Sequence, residues 1–290
     1  MNNLKNKIII VSNRTDKNIW LSLIPLMKSN KDILVKNSAH SMTNIVNNGA
    51  KYIIRKLPSM SMFSDSIEEV EKSLFIRDEL KSLLMYLADK NGFTYKNNKR
   101  QEVLEKAHKI GLCTPNFIIT CDKKELLTFA SEYKEIVIKN IGDVRLFKTG
   151  LSTYTRQLSF NEIQNDYPDW FAPSYFEQKI NKKFEIRTFI IDNVFFSMAT
   201  ISQNQYVDIR EDKKMGNFRC CPIILPKGIQ RKILILLKEL DIKSAAIDIL
   251  FSLCGNYYIV DVNHGGQFGD LEKYCNYDIS NTFSKKLLEY

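Results

Sequence analysis

Three residues near the end of the 290-residue chain have types and spacing suited to chemistry: Asp248, Asp261 and Asn263. They lie in two apolar runs, Ala245–Leu253 and Tyr257–Val262, separated by Cys254-Gly255-Asn256. Gly-Asn between β-branched runs signals a hairpin. Residues two apart on a strand share a face, so Asp261 and Asn263 point the same way and Asp248 can lie opposite them. Buried carboxylates are costly unless paired or metal-bound. Two carboxylates and an amide oxygen form a hard donor set that suits Mg²⁺ and leaves positions for water and phosphate oxygens. The competing reading is a hairpin whose Asp and Asn only cap turns.

Other charged residues stand at strand-like positions. Lys139 ends the run Ile136–Lys139, where a cation could reach phosphate oxygens, though it could equally be one more surface lysine. Arg187 lies in Phe184–Ile191 and Arg210 in Tyr206–Arg210. A guanidinium forks onto carboxylate or phosphate and stays charged. The plain alternatives are structural ion pairs, Glu185 with Arg187 and Asp208 with Arg210. Three histidines (His40, His108, His264) are too scattered for a histidine metal site, and no Ser-His-Asp or Cys-His constellation competes. Six cysteines show no CxxC spacing, which argues against zinc.

The elements that must position these residues alternate along the chain. Lys7–Ser12, Ile33–Val35 and Tyr52–Ile54 read as strands of a small parallel sheet. Trp20–Met27 reads as a short helix broken at Pro25, and Asp65–Asp89 as a long amphipathic helix. Asn97–Ile110 is a helix closed by Gly111. A strand at Asn116–Thr120 precedes a helix, Lys123–Ser131, capped by Asp122. Asn140–Gln157 is polar and reads as a loop or weak hairpin, and Ser159 caps a helix containing Glu162. Strands follow at Tyr175–Ile180, Phe184–Ile191 and Val194–Thr200, the last two joined by Asp192-Asn193. Tyr206–Arg210 reads as an edge strand. Helices at Ile229–Leu240 and Ser280–Glu289 flank the Asp248–Asn263 hairpin.

At 44% apolar residues the chain can bury a sizeable core as an α/β protein. Its formal charge of +9 fits an anionic partner, but the lysines are spread rather than blocked, and no nucleic-acid-binding motif is present. The apolar run at the N-terminus is too short for a signal or a membrane span. The expectation is a cytoplasmic protein with reduced thiols, no membrane segment and no nucleic-acid partner.

The order of these features resembles the ATP-grasp superfamily, in its glutathione-synthetase-like branch. Within that branch it is most similar to the graspetide maturases, including those of grasp-with-SPASM systems. The resemblance rests on Gly111-Leu112 with Pro115, the strand ending in Lys139, and Tyr154-Thr155-Arg156. It continues through Tyr175-Phe176-Glu177-Gln178-Lys179-Ile180, Glu185-Ile186-Arg187, Ser202-Gln203, Asp208-Ile209-Arg210, and Asp248 followed by Val260-Asp261-Val262-Asn263-His264-Gly265-Gly266-Gln267-Phe268. It covers nearly the whole chain and is specific from residue 97 onward. Three positions depart from the pattern: Asp261 stands where Glu is commoner, His264 where Pro is usual, and the loop around 142–150 is poor in glycine.

The resemblance implies an N-terminal α/β lobe with a parallel sheet (1–95), a central lobe (96–175) and a C-terminal lobe with the metal site (176–290), the latter two built on antiparallel sheets. It implies ATP and Mg²⁺ as cofactors. Lys139 and Lys99 (or Arg100, one residue on) would contact the nucleotide. Glu177, Gln178, Lys179 and Ile180 would form the hinge beside adenine, and Glu185 would hold the ribose. Asp248, Asp261 and Asn263 would hold the metal, with Asn263 also near the nucleotide. Arg187 and Arg210 would serve the reacting centre, and Thr155, Arg156 and Asp208 the substrate.

The implied reaction is carboxylate activation by ATP through an acyl-phosphate, which a hydroxyl or amine then displaces. The expected substrate is a ribosomally made precursor peptide whose leader segment is bound and whose acidic core residues are joined to Ser, Thr or Lys side chains. A homo-oligomer is expected, and the resemblance admits a radical-SAM maturase as partner. Two alternatives remain at this point: a glutathione-synthetase-like amino-acid or peptide ligase, and a nucleotide- or leader-binding scaffold with weakened catalysis.

Overall fold

The computed structural model describes residues 7–29, 31–38, 50–54, 75–76, 78–84, 86, 92–93, 99–141, 155–202 and 216–289. The run Ile8-Ile9-Ile10-Val11 forms β1 (Ile8–Val11), and all four residues are buried. A strand apolar on both sides belongs inside a parallel sheet covered on both faces. β1 indeed pairs in parallel with β2 (Ile33–Lys36) and β3 (Lys51–Ile54), and β4 (Gly92–Phe93) extends the sheet in the order β2-β1-β3-β4. Ile8, Ile10 and Ile53 face the helices Lys17–Met27 and Ile279–Glu289. Ile9, Val11, Tyr52 and Ile54 face Leu80, Leu83 and Leu84 in the helical stretch 78–84. Most of the helix expected at Asp65–Asp89 lies outside the described residues.

Pro25 does not break the first helix, which runs from Lys17 to Met27. The proline sits in the last turn, where its missing N–H forfeits one bond. The turn is still closed by Lys28 N–H donating to the Ile24 carbonyl at 3.1 Å.

The second sheet is antiparallel, in the order β5-β8-β6-β7. Its strands are β5 (Phe117–Asp122), β6 (Glu135–Lys139), β7 (Arg156–Ser159) and β8 (Trp170–Gln178). β6 and β7 pair antiparallel, with Arg156 and Gln157 of the expected polar stretch in β7; residues 142–154 of that stretch lie outside the described residues. β8 starts earlier than its apolar run suggested and crosses residue 175. The helices Lys123–Tyr133 and Phe160–Asp166 cover one face through Leu126, Ala130 and Ile163. Each has a side-chain cap: Asp122 accepts from the Lys124 and Glu125 N–H groups, and Ser159 forms a reciprocal capping box with Glu162.

The third sheet carries the site. Its order is β11-β10-β9-β12-β13, all antiparallel. It comprises β9 (Lys182–Ile191), β10 (Val194–Ser202), β11 (Phe218–Pro222), β12 (Ser244–Ser252) and β13 (Tyr257–Asn263). The Asp192-Asn193 turn joins β9 to β10 as the sequence suggests, and β12–β13 is the expected hairpin. The edge beside β10 is β11, which the sequence reading did not foresee; Tyr206–Arg210 lies outside the described residues.

One face of this sheet is mainly apolar, its buried Thr188 and Ser197 hydroxyls bonded to each other at 2.9 Å. Ile186, Ile190, Ala245, Ile247, Ile249 and Ile259 pack on the helices Lys227–Glu239 and Arg100–Lys109. Helix Arg100–Lys109 ends at Gly111, whose φ of +80° is the left-handed conformation that favours glycine there. After it, the Ile259 N–H donates to the Cys113 carbonyl at 2.8 Å, tying the segment to β13. All six cysteines are free thiols. No helix among the described residues is long and apolar enough to cross a membrane.

Candidate active site

The other face of the third sheet changes character halfway along its strands. Towards one end Phe189, Ile191 and Ala246 are buried with Phe268 and Phe283. Towards the other end the same pleat presents Glu185 and Arg187 from β9, Asp248 from β12 and Asp261 from β13. The register places Arg187 opposite Asp248, and Asp248 opposite Asp261. The hairpin therefore brings the two carboxylates together, with Asn263 one pleat further on, opposite Ala246.

Arg187 Nη1 donates to both carboxylate oxygens of Asp248, each at 2.7 Å, and Nη2 reaches the Gln267 carbonyl at 3.4 Å. Burial works against the Arg187 charge. The Asp248 carboxylate, with Asp261 and Asp270 behind it, more than offsets this and raises the Arg187 pKa. The Glu185–Arg187 pair considered from sequence does not form, because Asp248 takes the guanidinium and Glu185 pairs with Lys182.

Among the described residues, Asp261 has no such close partner. Arg100 Nε is 3.9 Å away, beyond hydrogen-bonding reach. Burial pushes the Asp261 pKa up; Arg100 opposes this most, Asp248 adds to it, and Lys139 and Arg187 oppose it further. Its side chain is still 36% exposed, so this is the floor of a recess and not a closed core. Two facing carboxylates, one of them resisting ionisation, fit a divalent cation that would supply the missing positive charge. Asn263, exposed at the end of β13, would add a third hard-oxygen donor of the kind that suits Mg²⁺. Among the described residues, no group of three His, Cys, Asp and Glu side chains competes as a metal site.

The second sheet closes the recess from across. Lys139, at the end of β6, forms an ion pair with buried Glu177 of β8. Tyr175 Oη donates to Glu177 at 3.0 Å. Burial first, then the Glu177 charge, raises the Tyr175 pKa far above that of an ordinary phenol, so Tyr175 stays a donor. Arg100 lies over the Tyr175 ring at 5.8 Å and donates to the Asn140 carbonyl at 3.0 Å. It thus links helix Arg100–Lys109, the end of β6 and Asp261. Of the two cations considered at the start of this helix, Arg100 faces the recess and Lys99 lies exposed at the N-cap.

The other expected site residues fall as follows. In the hinge, the Gln178 and Lys179 N–H groups donate to the carbonyls of Asn116 and Glu135, so neither is open to a ligand. The Lys179 side chain pairs with Glu135 at 2.8 Å, and Ile180 is buried. Thr155 precedes β7, while Arg156 is exposed and pairs with Glu162 at 2.8 Å. Asp208 and Arg210 lie outside the described residues, as does the glycine-poor loop at 142–150. Tyr175 was not singled out from sequence as a polar group; its place two residues before Glu177 was the available signal.

No family model and no curated protein matches this sequence. Solved structures do match in fold. The macrocyclase MdnC of Microcystis aeruginosa MRC, bound with precursor peptide MdnA, has a TM-score of 0.80 at 19% identity, covering 98% of this chain and 100% of that one. A Chryseobacterium gregarium RiPP-associated ATP-grasp ligase, in complex with ADP and a leader and core peptide, has a TM-score of 0.78 at 20% identity, over 98% and 96%. The ATP-grasp ligase PsnB, complexed with minimal precursor, Mg and ADP, has a TM-score of 0.73 at 17% identity, over 100% and 98%. The parallel sheet and the two antiparallel sheets of this chain are thus the ATP-grasp fold.

Proposed function

We propose that this protein is an ATP-dependent ligase that activates side-chain carboxylates of a ribosomally made precursor peptide and joins them to hydroxyl or amine side chains. The observation that carries the reading is the row Arg187–Asp248–Asp261 at the floor of a recess whose far wall holds Arg100 and Lys139. Cations and paired carboxylates in that arrangement suit a polyphosphate with its metal. The similar structures' ADP, Mg and precursor peptides support the same choice of ligands.

In this reading a substrate carboxylate oxygen attacks the γ-phosphorus of ATP, the bond to the β-phosphate oxygen breaks, and ADP leaves. The resulting acyl-phosphate is attacked by a Ser or Thr hydroxyl or a Lys amine. Phosphate departs, one proton is released, and an ester or amide remains. Mg²⁺ bound by Asp248, Asp261 and Asn263 would neutralise charge on the β- and γ-phosphates. Arg187 steadies the phosphoryl group in transfer, and Lys139 and Arg100 draw the nucleotide's phosphates into the recess. Glu177, with Tyr175, forms the polar floor beneath the base, and Glu185 faces the ribose. Arg210, with Asp208, holds the acceptor carboxylate, and Thr155 with Arg156 contacts the peptide.

Incubation with Mg-ATP and a precursor peptide whose core carries acidic residues with Ser, Thr or Lys should lower the peptide mass by one water per bond formed. A gain in mass would indicate addition of a free amino acid, the glutathione-synthetase-like alternative. Unchanged mass despite bound nucleotide would overturn the ligase reading in favour of a scaffold.

A further inference from the structure

The turn after Asn263 is held by the first lobe through a buried polar network. Asn18, on the first turn of helix Lys17–Met27, uses both ends of its carboxamide. Nδ2 donates to the Gly266 carbonyl at 2.8 Å, and Oδ1 accepts from the Phe268 N–H at 2.9 Å. Asn18 therefore pairs with the main chain on both sides of Gln267 as a neighbouring strand would. The Gln267 side chain turns into the first lobe, where Nε2 donates to Asp16 Oδ1 at 3.0 Å and Oε1 accepts from the Asn18 N–H at 3.2 Å. Asp16 is held in turn by the Ser12 hydroxyl at 2.5 Å. Ser12, Asp16 and Asn18 are fully buried.

The turn has little freedom elsewhere. The Gly266 N–H donates to the Asn263 carbonyl at 3.0 Å, and a Cβ on Gly266 would lie 2.2 Å from that of Ala246. The Gln267 carbonyl faces the other way and receives Arg187 Nη2. A buried turn needed only for stability could be covered by apolar side chains. This one instead carries polar groups that cost about 1–3 kcal/mol each when unmet, and a satisfied polar network fixes one geometry.

We propose that Asp16, Asn18 and Gln267 are positioning residues for the reacting centre: they fix the 263–268 turn from the first lobe and so orient Arg187 and Asn263. This rests on the reading of Arg187 as the phosphate-facing cation. Among the described residues, the hydrogen bonds of these three side chains run to the turn and the first lobe, so loosening the network disturbs the orientation of Arg187 without removing a nucleotide contact.

The test exchanges donor and acceptor. Gln267→Glu sets two carboxylates against each other at the Asp16 contact, and Asp16→Asn with Gln267→Glu restores an amide-to-carboxylate hydrogen bond with the roles reversed. The guanidinium N–H resonance of Arg187, assigned by its loss in Arg187→Lys, reports orientation without requiring turnover. ADP release reports kcat and the nucleotide KM at a temperature where each variant is folded by circular dichroism. In Gln267→Glu the Arg187 resonance should broaden and kcat should fall about tenfold with KM nearly unchanged, since small misplacements act on the chemical step. The double variant should recover both. If Gln267→Glu does not fold, Asn18→Ala, which removes the two main-chain contacts without adding charge, is read in the same way. An Arg187 resonance unchanged in the folded variant overturns the proposal, as does a loss confined to KM. If the wild-type protein releases no ADP, the ligase reading fails, while the Arg187 resonance still decides the positioning role.

Discussion

One face of the five-stranded sheet holds two regions made by the same strands. Phe189 and Ala246 lie in an apolar core; Arg187 and Asp248, one pleat along, line the recess. The strand period puts all four on one face and does not distinguish them. What separates them is the cover. Phe268 and helix Ile279–Glu289 seal the apolar half, whereas the polar half faces the charged side chains of Arg100 and Lys139. The proposed chemistry sits where the pleat runs out from under its own helices.

That division can be broken from either side. Asp248→Asn should reduce Mg-dependent ADP release by about 10³-fold, some 4 kcal/mol of barrier, while moving the thermal midpoint only a few degrees. Steady-state kinetics beside a melting curve checks both halves of the statement. Phe189→Ala should do the reverse. It removes a ring packed 4.9 Å from Phe268 and 5.9 Å from Phe283. Denaturant titration should show a loss of about 3 kcal/mol, with turnover in the folded protein retained.

At the border between the halves, Gly266→Ala should cost about 1–3 kcal/mol through overpacking against Ala246. Adding Ala246→Gly should recover part of that in the same titration, because the two Cβ atoms compete for one space. The smallest effect lies far from both halves. Hydrogen bonds from the Ser159 N–H and hydroxyl, then Arg156, hold the Glu162 carboxyl below the usual range. A depressed carboxyl stabilises the fold above its unfolded pKa, and that contribution is lost as pH falls through the lower folded value. Thermal melts between neutral and acid pH should therefore show a slightly smaller decline for Glu162→Gln than for wild type.

Much of the third sheet was legible because its signals are local. Cys254-Gly255-Asn256 and Asp192-Asn193 set the turns, whereas the pairing of Asp248 with Asp261 depends on a register shift between Asp248 and Ile249 that plain alternation from the turn does not give. The choice between Lys99 and Arg100 was not legible, because that helix has no side-chain cap to mark its first residue. β11 was missed because five residues ending in Pro222 carry little strand signal on their own and gain it only by pairing with β10. Pro25 misled because its position in the last turn depends on where the helix ends. The contact of Asn18 with Gly266 and Phe268 joins residues about 250 apart in sequence, and nothing near either partner announces it. The partner of Arg187 was likewise a matter of sheet order: Glu185 is two residues away on the same strand, but Asp248 is its cross-strand neighbour.

The most direct test of the recess as a metal-nucleotide site is calorimetric titration of ADP into the wild-type protein and Asp248→Asn, each with and without Mg²⁺. Binding that Mg²⁺ strengthens in the wild type, with that gain lost in Asp248→Asn, is the predicted result. An equal response to Mg²⁺ in both proteins, or no binding of ADP to either, would contradict it.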